Sequence, residues 1–423
     1  LTVIKLSHTF ERLSNGTTVL IEEVPTVRSV SIGILVGFGT KYEAPKQGGI
    51  AHFIEHMLFK GTIKRSAADI AEQIDAVGGR INAHTGKEYT SYYAIVIDDH
   101  IDLAIDVLAD MYLNSTFNEQ EIERERNVIL EEIGMYEDTP DEKIHDLSSQ
   151  NIWDGHALGN PILGTIGSVK KITRTMMVNC MKEYYTPDNT IISIAGNVDA
   201  KKILALVKAK FETTRGKKKA YTEEPTRIIP GIKIVKKDTE QVHICLSAKG
   251  VSYKENDRFA MSILSSVLGG SMSSRLFQKV REQKGLVYSI YTYPTFYVNA
   301  GLFTLYVGTN IKNAQAVMDI SLNEMKSIKN EGITAEELLR AKEQLKGHMV
   351  LNMEDTSSRM SWLLKSKFYY DEVQELETVM AKIDAVTLDD VQRVANQFFI
   401  KEDLQLTAIG KFPKTNYFKE IDC

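Results

Sequence analysis

The sequence predicts an α+β fold of two topologically similar domains, each a mainly antiparallel sheet with helices packed on one face. Three observations carry this expectation. The chain has 423 residues, of which 43% are hydrophobic and 25% charged, which is ordinary globular composition with room for two or more cores. It also repeats itself: ITRTMMVNCMKEYYTPDNTIISIAGN from Ile172 aligns without a gap to VTLDDVQRVANQFFIKEDLQLTAIGK from Val386. In that register Thr173 meets Thr387, Tyr184 and Tyr185 meet Phe398 and Phe399, and Gly196 meets Gly410. Finally, strand-like segments are joined by short turns while helix-like segments are grouped, a pattern of hairpins and not of βαβ winding.

Taken in order, residues 29–38 and 190–198 are apolar runs about half as long as a bilayer requires, and they read as buried strands. GGIAHFIEHMLFKGT between them has helical spacing with deeply apolar flanks. The alternating run at 88–97 (EYTSYYAIVI) predicts a half-buried strand and is echoed at 299–307 (NAGLFTLYV). Each is followed by a helical stretch, at 101–113 and at 311–329. FNEQEIERERNVILEEI from Phe117 and ITAEELLRAKEQLKGHM from Ile333 come next, acidic at the start and apolar at helical spacing. Between the repeats, TRGKKKAYTEEPTRIIP at 214–230 breaks the periodicity with a basic run, an acidic pair and two prolines. The expected organisation is a first domain over 1–213, a linker over 214–230 and a second, homologous domain over 231–423.

Charge and cysteine usage narrow the function. With 51 basic and 56 acidic side chains the net charge is −5, so no whole-molecule field recruits nucleic acid or an anionic membrane, and neither is expected as a partner. Cys180, Cys245 and Cys423 are far apart, odd in number and without a CxxC, which excludes a disulfide framework or a cysteine-rich zinc module. A reducing compartment fits, and a cytoplasmic location is expected, with an organelle matrix as the alternative. The segment 1–10 has neither a secretory nor a transit-peptide pattern.

The chemistry concentrates in His52, Glu55 and His56. Four-residue spacing puts both imidazoles on one helix face, a turn apart, where each can offer a ring nitrogen to one metal ion. Glu55 borders the same site and stays free to act as general base. Polar side chains on so apolar a helix need partners, and a metal supplies one. Catalytic zinc usually takes three protein ligands, so a third must come from elsewhere. The helix ERERNVILEEIGMYED offers it: Val128, Ile129 and Ile133 mark a packed side, and Glu125 and Glu132, seven apart, share another face. Glu132 is the expected ligand, with Glu125 orienting His52 or His56 through a hydrogen bond.

His52, Glu55 and His56, followed by Glu132 seventy-six residues beyond the second histidine, resemble the inverted-motif zinc peptidases of the pitrilysin, insulin-degrading enzyme and mitochondrial processing peptidase family. HFIEHMLFKGT, GGRINAHTGKEYTSYYAIV and ERERNVILEEI occur in the order of that family's signatures, and the match spans essentially the whole chain. The resemblance implies one zinc per chain, bound by His52, His56 and Glu132, with Glu55 activating water and Glu125 in support. It further implies that Arg281 and Tyr288, in SSRLFQKVREQKGLVYSIYTY, contact the substrate carbonyl, and that a strand beginning at Asn82 and Ala83 receives an extended peptide. Glu142 and Asp146, in an acidic loop beyond Glu132, match positions that would receive a basic substrate residue. Because the family's long members enclose a chamber with four such domains and this chain has two, a homodimer is implied, Arg281 and Tyr288 facing the partner's zinc. The expected function is a zinc metalloendopeptidase acting on peptides or presequences. The alternative is a non-catalytic structural subunit of the same fold, for which intact ligands are unexpected.

Overall fold

The computed structural model describes residues 8–418 and Ile421; residues 1–7 and Cys423, both used in the sequence reading, lie outside the described residues. In chain order the first half comprises β1 (His8–Arg12), β2 (Thr18–Glu23), β3 (Ser29–Val36), α1 (Ile50–Leu58), α2 (Ala67–Asp75), β4 (Arg80–Thr85) and β5 (Thr90–Ile97). Then follow α3 (Ile101–Asn114), α4 (Glu119–Glu137), α5 (Pro140–Ile152), α6 (Ile166–Val169), α7 (Arg174–Tyr184), β6 (Thr190–Gly196) and α8 (Ala200–Phe211). Residues 214–230 form neither helix nor strand. The second half contains β7 (Gly231–Lys236), β8 (Val242–Lys249), α9 (Asp257–Leu268), β9 (Val287–Phe296), β10 (Gly301–Thr309) and α10 (Ala314–Glu331). It closes with α11 (Ala335–Asn352), α12 (Thr356–Tyr370), α13 (Leu376–Asp384), α14 (Leu388–Phe398) and β11 (Gln405–Gly410).

The chain forms two compact units, drawn from Leu1–Ile133, Asn160–Glu223 and Met349–Glu377 on the one hand, and Gly134–Gly159, Glu224–His348 and Thr378–Cys423 on the other. Each unit is thus built mostly from one repeat plus a segment from the other half of the sequence. The first sheet runs β1-β2-β6-β3-β5-β4 and the second β7-β11-β8-β10-β9. In the first sheet only β2–β6 is a parallel pair, and in the second only β7–β11. Apart from β1 the two topologies coincide strand for strand.

Local geometry repeats as well. Thr173 caps α7 by accepting from the amide of Met176, and Thr387 caps α14 by accepting from Asp390. After each helix the chain enters a strand that ends on glycine, Gly196 at φ +145° and Gly410 at φ +146°. A Cβ on Gly196 would stand 2.3 Å from the carbonyl oxygen of Ser29, so the backbone of β3 can approach only a glycine there.

In the first unit Val30, Ile32, Ile34 and Val36 alternate along β3 into a core completed by Phe53, Met57, Leu108 and Ile129. The opposite face carries α12, whose Met360 and Leu364 cover Leu35 and Ala195. In the second unit α5 covers the corresponding face, where Ile144 packs with Cys245, Tyr306 and Ile409. Two helices from distant segments therefore complete sheets whose other face is covered as the sequence predicts.

Three local expectations are corrected. The segment from Asn82 is not one strand but a hairpin of β4 and β5, closed by the Gly86 amide donating to the Tyr89 carbonyl at 2.8 Å. Val128 does not mark the packed side of α4: it is 49% exposed, and the buried stripe is Ile122, Glu125, Ile129 and Ile133, the spacing a 3.6-residue turn selects. Glu142 and Asp146 lie not in a loop but one turn apart on α5, which starts with Pro140 at its first position and has Asp141 and Glu142 in its first turn, where acidic groups complement the helix dipole.

Candidate metal centre

The helix α1 starts abruptly. Its N-cap, Gly49, has φ +90°, a conformation that favours glycine, and offers no side chain to the first amides. Glu43 supplies the acceptors instead, one carboxylate oxygen taking the Gly49 amide and the other the Ala51 amide, each at 2.9 Å. Burial of this carboxyl pushes its pKa up to about 8 against the pull of those amides. Ile50, Phe53, Ile54, Met57 and Leu58 anchor the helix in the core. That packing presents His52 and His56 side by side, ring centroids 4.5 Å apart.

Helix α4 brings the carboxylates. Oε2 of Glu132 stands 3.8 Å from Nε2 of His52 and 3.7 Å from Nε2 of His56. The ligand atoms of the three residues all lie within 4.8 Å of one another, the one such group among the described residues. That oxygen is buried and has no hydrogen-bond partner, although it lies between two imidazoles. Nitrogen and oxygen ligands of a tetrahedral zinc sit about 3.3–3.5 Å apart, so a few tenths of an ångström separate each of the two Glu132–histidine distances from coordination geometry. Two imidazoles and a carboxylate are a donor set for catalytic zinc, and the residues fit the ion.

Protonation states agree. Burial, and next the neighbouring His56, pull the His52 imidazole down to about 3, so it stays a neutral donor at physiological pH. His56 is oriented by Glu125, whose Oε2 accepts from Nδ1 at 3.1 Å and leaves Nε2 for the metal side. Between the alternatives open in the sequence, Glu125 therefore serves His56. Its other oxygen is held by Lys60 Nζ at 2.7 Å, so the buried carboxylate is paired on both sides.

Glu55 points across to the hairpin. Burial raises its pKa; the Thr85 hydroxyl and amide, both donating to the carboxylate, and the nearby His56 oppose that rise. Thr85 is itself fixed, because the turn after it is tied down by the Thr40 amide donating to the Gly86 carbonyl at 3.2 Å and the Lys41 amide to the Lys87 carbonyl at 2.8 Å. Asn82 and Ala83 lie on β4, the edge strand, and the Ala83 amide donates to the Asn82 side chain at 2.8 Å.

Arg281 and Tyr288 belong to the second unit, as do Glu142 and Asp146. Arg281 lies in a π-helical turn, Phe277–Glu282, with its guanidinium 4.7 Å from the Phe277 ring centroid and 5.9 Å from that of Tyr288. Tyr288 is 74% exposed, so the pair presents a cation and a phenol to solvent side by side. The sequence reading missed Glu43, Lys60 and Thr85. Only Lys60 had a local signal, four residues after His56; the other two reach the site through contacts that no periodicity encodes.

Residues 18–166 match the family described as Insulinase (Peptidase family M16), and residues 171–345 match the Peptidase M16 inactive domain. A protein of Bacillus subtilis named an uncharacterized zinc protease is 43% identical over 94% of this chain and 96% of its own length. One of Streptomyces coelicolor, similarly named, is 40% identical over 90% of this chain and 85% of its own. The crystal structure of a protease from Helicobacter pylori superposes with a TM-score of 0.90 at 22% identity, covering 96% of this chain and all of that one. A Pseudomonas fluorescens structure described as a peptidase M16 inactive domain gives 0.89 at 20% identity, over 96% and 99%. These two likenesses bear on the fold.

Proposed function

The chain belongs to the M16 peptidase family, and from that premise we propose that it is a zinc metalloendopeptidase acting on peptides or presequences held in extended conformation. The observation that carries this reading is the Glu132 carboxylate, brought from a distant helix to 3.7 and 3.8 Å from the two imidazoles of α1. His52, His56 and Glu132 would hold one zinc ion per chain, which supplies Lewis acidity toward a peptide carbonyl and lowers the pKa of water.

Glu55 takes the proton from the attacking water at its carboxylate and passes it to the leaving amide nitrogen. Thr85 keeps that carboxylate aimed while it does so. Asn82 and Ala83, on the free edge of β4, receive the substrate main chain as an added strand, which selects extended conformation before sequence. Arg281 and Tyr288 hold the oxyanion, and in our reading they do so in the partner subunit of a homodimer, within a closed chamber. One chain carrying both sets of residues supports a homodimer, and the match of residues 171–345 to a domain described as inactive supports division of labour between the domains over 1–213 and 231–423. Glu142 and Asp146 are read as acceptors for a basic substrate residue. Cys180 and Cys245 are free and buried, which supports action in a reducing compartment such as the cytoplasm. No helix among the described residues is long and apolar enough to cross a membrane.

Elemental analysis and cleavage of an unstructured fluorogenic peptide test the proposal. The wild type should bind one zinc per chain and lose hydrolysis on chelation. Glu55→Gln should keep the metal and lose about 10²- to 10⁴-fold in kcat. A wild type that takes up no metal, or a Glu55→Gln chain that cleaves normally, overturns it.

A further inference from the structure

A strand on the β4 edge has two kinds of side-chain neighbour, because alternate residues point to opposite faces of the sheet. Ile81, Ala83 and Thr85 share the face that meets Glu55. Arg80, Asn82 and His84 share the other and are all exposed. That second face borders α12: the His84 ring lies 6.3 Å from Tyr89, and Tyr89 packs edge-on against Phe368 of α12 at 5.4 Å. Partial enclosure of the His84 ring by the surrounding protein, and next the charge of Lys365, one helical turn before Phe368, hold this imidazole below its ordinary pKa.

The charge on these walls is one-sided. Helix α12, TSSRMSWLLKSKFYY, contains no acidic residue, and its other cations are engaged, Arg359 by Glu22 and Lys367 by Asp371. Lys365 is exposed and has neither ion pair nor hydrogen bond among the described residues, and the same holds for Arg80. The hairpin over 80–97 contains one acid, Glu88, which is buried and held by Lys41 at 3.1 Å. Unpaired cations on one exposed face, with no free acid on the hairpin or on α12 to answer them, call for carboxylates from outside.

We propose that this face is an acid-selecting subsite, in which Arg80, His84 and Lys365 receive carboxylate side chains that alternate residues of the bound peptide project away from the metal-binding face. The assignment rests on the peptidase reading for its occupant, an extended peptide paired with β4. It adds a substrate class: peptides acidic at every second position on one side of the strand. It is separate from the basic residue assigned to Glu142 and Asp146, which lie in the other unit.

Fluorogenic peptides that differ only by Glu or Gln at one position, stepped across the cleaved bond, test the proposal. At low salt the wild type should favour Glu roughly fivefold in kcat/KM, at positions of a single alternating register, and high salt should erase the preference. Lys365→Glu should invert it, favouring a Lys-bearing peptide over the Glu-bearing one, which a misfolded chain cannot do. Anisotropy of the same labelled peptides on the Glu55→Gln chain reads selectivity without hydrolysis, so failure of the peptidase reading (no cleavage by the wild type) is told apart from failure of the subsite. Absence of selectivity in binding and cleavage, or a Glu preference unchanged by Lys365→Glu, overturns it.

Discussion

At the scale of the residue, Glu55 depends on Thr85 for its aim and for part of its charge. Burial disfavours the carboxylate, and the threonine hydroxyl opposes that by donating to it. Thr85→Val should therefore do two things. With the aim loosened, kcat should fall roughly ten- to a hundredfold, the worth of a hydrogen bond to a charged group. With the ionised form less favoured, the pKa of Glu55 should rise, so the acid limb of the kcat/KM profile should move to higher pH. Zinc content should stay at the wild-type value, and Thr85→Ser should restore both rate and profile. A valine variant with an unshifted acid limb would show that the hydroxyl is packing only. This residue stood in plain view within NAHTGKEYT, yet nothing in its spacing tied it to a helix thirty residues earlier.

At the scale of the element, α1 shows what hydrophobic periodicity can and cannot reveal. Its apolar stripe and its two histidines were legible because both follow the helical repeat. Its cap was not, since the N-cap is a glycine and the acceptors come from Glu43, six residues earlier than Gly49. Glu43→Ala would leave at least two buried amides without partners, and we expect a loss of about 2–3 kcal/mol, read by urea denaturation of the metal-free protein. Unchanged stability would mean that water satisfies those amides. On α4 a one-residue error decided the outcome for Val128: a step of one position along a helix rotates a side chain by about 100°, enough to carry it from core to solvent.

At the scale of the whole molecule, the repeats share one strand order and one parallel pair each, and matching threonine caps and matching glycine ends mark their common pattern. Only one repeat has the metal ligands and only the other has Arg281 and Tyr288. If a homodimer shares these sets between subunits, mixing a Glu55→Gln chain with an Arg281→Ala chain should regain up to about a quarter of wild-type activity, the share expected when half of the dimers are mixed and each has one intact site. Proven heterodimers without any recovery would count against supply in trans.

The sequence by itself determined the α+β class, the duplication, the histidine pair with its glutamate and the distant Glu132, because these are written as local periodicity, motif spacing and self-similarity. Only the tertiary structure decided that α12 and α5 cover sheets built mainly from the opposite repeat, that Glu125 serves His56, that Thr85 hydrogen-bonds Glu55, and that the helix of Lys365 borders the face of His84 through Tyr89 and Phe368. The physical reason is common to all four. Each depends on which surfaces pack together across long stretches of chain, and a helical or strand repeat states which face is apolar without saying what will cover it.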